Sequence, residues 1–228
     1  MGKRVLDEVE ETTLDEILNS LRAALPDAAA AAPSRGLKPT HMDELDRVAA
    51  RHLRDTQAPT LAIAGRSLPL LYKLVATLVS PPHRQAVLVV DADGRFDATR
   101  LACHDDDDLR HVYVQQCGGA ASPEHLRALV ADAEAFMLYH AAARPSRSRR
   151  WWGTVVVLGG AGAPGLGGGD VVAGWKGWLR VDRDQVQPFA LGVGVDDALA
   201  ERDARQRAVD AAGWAATSPW GGFVFYDG

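Results

Sequence analysis

Residues 86–101, AVLVVDADGRFDATRL, constrain the fold more than any other stretch of the chain. The unbroken apolar run from Ala86 to Val90 predicts a strand covered on both faces, the pattern of a parallel strand. Asp91 ends that run. In open α/β sheets ligands bind at the carboxyl ends of the strands, so Asp91 and Asp93 stand where chemistry would be done. Asp97 reads as a helix N-cap. On spacing alone, the same three acids read first as a strand stop and a helix start.

With 228 residues, 47% of them hydrophobic, the chain has enough apolar material for one sizeable core. A formal charge of −5 argues against strong autonomous nucleic-acid binding, which rests on clustered Lys and Arg. Cys103 and Cys117 form no C-x-x-C pair, which points away from a disulfide framework or zinc site and toward a reducing compartment. The acidic start, MGKRVLDEVEETTLDEIL, has no apolar signal core and reads as neither secretory signal nor transit peptide. Residues 151–169 are uncharged, but their glycines make a poor membrane helix, so the expectation is a soluble protein with no membrane contact.

Thr13 to Glu16 fits a capping box, and Leu14, Ile17, Leu18, Leu21 and Leu25 follow at helical spacing. That stripe packs either on this chain's own core or on a partner subunit. A proline-bounded, alanine-rich linker from Pro26 to Pro39 follows, giving residues 1–36 as helix and linker and 37–228 as the core domain. Thr40 opens a second helix that turns Met42, Leu45, Val48, Ala49 and Leu53 inward, and Leu61–Ala64 is the first strand. Asp105 to Asp108 read as a solvated loop rather than a metal site, and Leu109–Val114 as the next strand. Ser122 caps a helix whose inner face carries Leu126, Leu129, Val130, Ala133, Phe136, Met137 and His140.

Arg144, Arg147, Arg149 and Arg150 beside Trp151 and Trp152 combine charge with aromatic faces, as single-stranded DNA binders do, or form a basic loop with its tryptophans packed inward. Thr154–Leu158 is a buried strand. Gly160 to Gly165 matches G-x-G-x-x-G, but Pro164 and Gly167–Gly169 oppose the helix that a dinucleotide site needs. Trp175–Val181 and Leu191 with its preceding residues from Gln187 read as an antiparallel pair around Asp182–Asp184. A helix over Val195–Ala212 and a last strand over Trp220–Tyr226 complete the chain.

VLVVDADGRFDATRL resembles the second core strand of the RecA-type recombinases, and most closely the small eukaryotic recombinase paralogues. THMDELDRV and LLYKL resemble the helix before that family's core and the helix after its first strand. WKGWLRVDRDQVQPFA, ERDARQRAV and WGGFVF resemble the tail of fungal members of the X-ray-repair-cross-complementing-two group. The resemblance runs from Leu37 to Tyr226 and implies a RecA-like fold of the P-loop NTPase type: a mostly parallel sheet flanked by helices, with antiparallel C-terminal strands.

In active members of the family the acid at the place of Asp93 activates the water that attacks ATP. Their phosphate loop, G-x-x-x-x-G-K-S/T, is here reduced to Gly65-Arg66-Ser67-Leu68-Pro69, too short to aim several N–H groups at phosphates. Gly159 stands where the family's strand-end aspartate orders magnesium. The resemblance therefore implies a degenerate nucleotide site at Gly65, Arg66, Ser67, Asp93 and Gly159, no ATP hydrolysis, no metal and no cofactor. It further implies a nuclear subunit that assembles with another recombinase paralogue in homologous recombination and double-strand-break repair, reaching DNA through the complex.

Candidate partner surfaces are the sheet edges and the stripe Leu14, Ile17, Leu18 and Leu21; candidate DNA contacts are Arg147, Arg149, Arg150 and Trp151. The short connection after Gly159 predicts a sheet lacking one strand. Two other classes stay open: a nucleotide- or dinucleotide-dependent enzyme using Gly160–Gly165 with Asp91 or Asp93, and a stand-alone single-stranded DNA-binding module.

Overall fold

A computed structural model of the chain describes residues 36–117, 122–158, 169–185, 192 and 194–226. The Leu14–Leu25 stripe, Gly159, the Gly160–Gly165 loop and residues 187–191 lie outside them. Helix α1 (Asp43–Thr56) begins where Asp46 reaches back, its carboxylate accepting the N–H groups of Thr40 and His41 at 2.8 and 3.1 Å and the Thr40 hydroxyl at 2.7 Å. Left-handed Gln57 ends it, donating its N–H to Leu53 O. The helix buries Leu45, Val48, Ala49 and His52, whereas Leu53, expected inside, is half-buried.

Strand β1 (Leu61–Gly65) leads directly into α2 (Leu68–Val79), which is apolar on nearly every side and buried accordingly. Strand β2 (Ala86–Asp91) is buried along its whole length, as its apolar run requires. A 3₁₀ turn (Ala98–Arg100) is capped by Asp97, whose carboxylate accepts Thr99 N–H. The rest comprises α3 (Asp106–Leu109), β3 (Val112–Gln116), α4 (Pro123–Tyr139), a second 3₁₀ turn (Ala141–Ser146), β4 (Trp151–Val157), β5 (Val171–Ala173) and β6 (Leu179–Arg183). Then follow α5 (Val195–Ala200), α6 (Arg202–Ala211), β7 (Trp214–Ser218) and β8 (Gly221–Phe225).

The eight strands form one sheet in the order β3-β2-β4-β5-β1-β6-β7-β8. Pairing is parallel from β3 to β6, and β7 is antiparallel to both β6 and β8. The fold is thus α/β, with a mostly parallel sheet and antiparallel pairing at its C-terminal end. Alternation along the central strands divides the core. Val87, Val89, Val155 and Val157 join α1 and α2 on one face, while Leu88, Val90, Val156 and Leu158 join Leu126, Val130 and Ala133 of α4 on the other.

Four expectations are corrected. The sheet does not lack a strand after residue 159, because β5 fills the place between β4 and β1 with three residues. Asp182 and Arg183 form no turn; they continue β6 and pair with Ala215 and Trp214 of β7, a strand hidden in an alanine-rich stretch. The acidic run at 105–108 is a helical turn with Asp108 buried, which delays β3 to Val112. The helix expected over 195–212 is two helices, divided at Glu201.

Because β5 pairs with Leu61–Ile63 and β6 with Ile63–Gly65, the chain crosses β1 between them within Gly174–Trp178. Trp178 ends the crossing by donating Nε1–H to Thr60 O at 3.0 Å and stacking on the His52 ring at 4.1 Å. Trp220 closes on the same imidazole edgewise at 4.5 Å.

Burial in this aromatic wedge holds His52 below the usual imidazole value of 6.5, and burial does the same for His111 and His83, aided by Arg149 and by His41 respectively. As pH falls past 6.5 the unfolded chain takes up these protons before the folded one does. Stability is therefore complete above that value and declines beneath it. The melting temperature is expected to drop between about pH 7.5 and about pH 5.5, and His52→Phe should make the drop smaller, as differential scanning fluorimetry would read. A flat profile would contradict this.

Candidate functional site

The two acids of the organising stretch have different surroundings. Asp91 is fully buried, its carboxylate accepting Asp93 N–H at 3.2 Å and Phe96 N–H at 2.8 Å. It shapes the turn after β2. Asp93 is exposed beyond that turn, 3.6 Å from Arg95. The turn is pinned to α2, since Tyr72 Oη accepts Asp97 N–H at 3.2 Å and the Tyr72 and Phe96 rings lie 5.3 Å apart.

At the end of β1, Gly65 has a left-handed φ of 78°, and a β-carbon there would strike Val181 O. Arg66 donates its N–H to Val181 O at 2.7 Å, and Ser67, 7% exposed, makes no side-chain cap before α2 starts. Only these two residues join strand to helix, so no loop of backbone donors surrounds a phosphate there. β4 and β5 separate β2 from β1, placing Asp93 and Ser67 at strand ends about 14 Å apart. Gly159, the fifth residue of the expected nucleotide site, lies outside the described residues.

The basic stretch is divided rather than gathered. Arg149 turns inward, donating to Val79 O at 2.6 Å and to Asp108 Oδ1 at 2.9 Å, with 11% of its side chain exposed. Trp151 is half-buried and donates Nε1–H to Gly153 O at 3.0 Å. Arg147 and Arg150 stay exposed. Of the four candidate DNA contacts, these two present guanidinium groups that no side-chain hydrogen bond or ion pair engages among the described residues.

A serine, a histidine and an aspartate that sequence reading did not connect also come together. His111 Nδ1 and Tyr113 Oη each lie 2.7 Å from Ser146 Oγ, beneath the surface. Asp108 is engaged by Arg149, so no acid orients the imidazole, and Ser146 is only 5% exposed. This network ties β3 to the 3₁₀ turn; it lacks the geometry of an acyl-transfer triad. Among the described residues no group of three or more His, Cys, Asp or Glu is placed to hold a metal ion, and no helix is long and apolar enough to cross a membrane.

A recognition feature also lies along the β3 edge of the sheet. Among the described residues β3, VYVQQ, is an edge strand paired only with β2, and it carries no charge, proline or bulge, the features that normally protect an edge. Beside it opens a cavity of about 370 Å³ between β3 and α4, at the small end of the roughly 300–1,000 Å³ typical of ligand sites. Leu88, Tyr113, Val114, Leu129, Ala133 and Phe136 line it, and Asp132 adds its one charge. Backbone donors and acceptors next to an apolar pocket suit an extended segment with one apolar anchor. Periodicity along α4 revealed the pocket's helical wall, but edge position is a property of strand order and leaves no local signal. No family model matches the chain, and no curated protein matches it.

Proposed function

We propose that this chain is a non-catalytic subunit of RecA-like layout that works by assembly, with another recombinase paralogue as its partner in homologous recombination and double-strand-break repair in the nucleus. The observation that supports this most is the β3 edge, left unpaired on its outer side among the described residues, beside an apolar pocket. A partner strand added there gains main-chain hydrogen bonds, and its anchoring side chain fills the pocket. The mostly parallel sheet with antiparallel C-terminal pairing accords with the layout that the sequence resemblance implies. DNA is then engaged chiefly through the complex.

The direct join of β1 to α2 supports the non-catalytic part. Phosphoryl transfer depends on positioning and on cationic or metal stabilisation of the phosphates. With Arg66 N–H taken by Val181 O, the end of β1 offers neither cradle nor lysine. Isothermal titration of the purified chain with Mg-ATP is expected to give no heat of binding; a stoichiometric complex of micromolar affinity or better would overturn the reading.

Assembly is tested by purifying the tagged chain from its own cells and identifying what remains bound. A recombinase-like protein in near-equal amount is the expected result. Val114→Lys, at a residue 37% exposed on the β3 edge, should reduce its recovery about tenfold or more while leaving the melting temperature unchanged. Leu18→Asp with Leu21→Asp reports on the N-terminal stripe: lost capture makes that stripe part of the interface, and lost stability alone makes it part of the core. Recovery of the chain by itself would count against assembly.

A further inference from the structure

The loops leading into β2 and β4 meet at the amino edge of the sheet, where Ala86 N–H donates to Arg150 O at 3.0 Å. Arg84, Arg147 and Arg150 are all exposed here, and no side-chain hydrogen bond or ion pair engages any of them among the described residues. Neighbouring acids are largely committed elsewhere: Asp108 to Arg149 at 2.9 Å, Asp107 to Arg110 at 3.4 Å and Asp170 to Lys38 at 2.8 Å. Asp105 caps α3, leaving Asp106 as the open countercharge. Inward Arg149 fixes the loop that carries Arg147 and Arg150, because its two bonds tie that loop to the end of α2 and to α3. The arginines are thus held outward on an anchored support.

We propose that Arg84, Arg147 and Arg150 form a sequence-independent contact for the phosphate backbone of a nucleic-acid strand. Guanidinium forks match phosphate oxygens in pairs, and all three residues are arginine rather than lysine. A protein partner would need an apolar anchor among them. None of the large exposed hydrophobic side chains of the described residues lies in either loop, and the rings beside these arginines are engaged, half-buried Trp151 through its Nε1–H to Gly153 O and His83 by stacking on His41 at 3.7 Å. With those rings engaged, the contact reads phosphates and not bases. The chain's net charge of −5 makes the contact weak and local.

The test is fluorescence anisotropy of a labelled oligothymidylate with the full chain alone, titrated between about 50 and 200 mM salt. Three phosphate contacts to a single strand predict a slope of log K against log salt near −2, since each contributes about −0.7. Combining Arg84→Ala, Arg147→Ala and Arg150→Ala should flatten the slope to near zero. Combining Arg47→Ala, Arg54→Ala and Arg207→Ala removes the same charge from exposed helix positions and should leave it in place. The proposal falls if the wild-type chain shows no binding at the lowest salt, if the first triple variant keeps its slope, or if the second loses it equally. Displacement of the oligonucleotide by polyglutamate as efficiently as by unlabelled oligonucleotide would also overturn it. Partner capture plays no part in these readings, so they stand apart from the assembly proposal.

Discussion

Replacing Arg149 by methionine is expected to cost about 3–5 kcal/mol, the scale at which removing one partner of a buried ion pair leaves the other charge uncompensated. Asp108 Oδ1 would lose its guanidinium, and Asp108 Oδ2 is already buried without a hydrogen-bond partner. The carbonyl of Val79 would lose its donor as well. Asp108→Asn should recover part of the loss by removing the stranded charge. Chemical denaturation of the two single variants and the double variant would yield the coupling directly, and additive losses would show that the pair does not interact. The comparison also bears on the amino edge, because Arg149 holds the loop carrying Arg147 and Arg150.

A change of similar size is expected from Gly177→Ala. A β-carbon at Gly177 would lie 2.6 Å from Ala62 O and Ile63 C, backbone atoms in the middle of β1. Those atoms are fixed by pairing to β5 on one side and β6 on the other, so neither can give way without disturbing the sheet. The predicted cost is about 3 kcal/mol or more, beyond ordinary overpacking because the obstacle is backbone rather than a mobile side chain. Gly174→Ala, three residues earlier in the same crossing, meets nothing nearer than Leu158 Cβ at 3.7 Å and should be nearly neutral. Equal stabilities for the two variants would refute this account of the crossing.

Much of what can be read locally agrees with the structure. The apolar run of β2, the cap at Asp97 and most of the inner face of α4 each follow from composition and spacing within one element, although His140, expected on that face, lies past the helix end and is exposed. Apart from the break at Glu201, the errors fall mostly where a distant residue decides the outcome. Asp182 and Arg183 look like turn residues until β7 supplies their pairing partners, and β5 is too short to stand out until β4 and β1 close around it. Asp108 looks solvated in a run of four aspartates, and Arg149 looks exposed among arginines; each is buried because of the other. The candidate docking edge shows the same limit, since VYVQQ becomes an edge only through the order of the other seven strands.

That order also governs the protein's birth. β1 is the first strand made among the described residues, yet it lies in the middle of the sheet, and its first partner, Val171, follows Leu61 by 110 residues. At the usual 5–20 residues per second of synthesis, Leu61 to Gly65 wait roughly 5–20 s before any neighbouring strand exists to satisfy them. During that interval an apolar strand with both edges open is attached to the ribosome beside α2, the most hydrophobic helix of the fold. Productive yield in a cell then depends on shielding that nascent intermediate, and slower elongation between residues 66 and 171 lengthens its exposure.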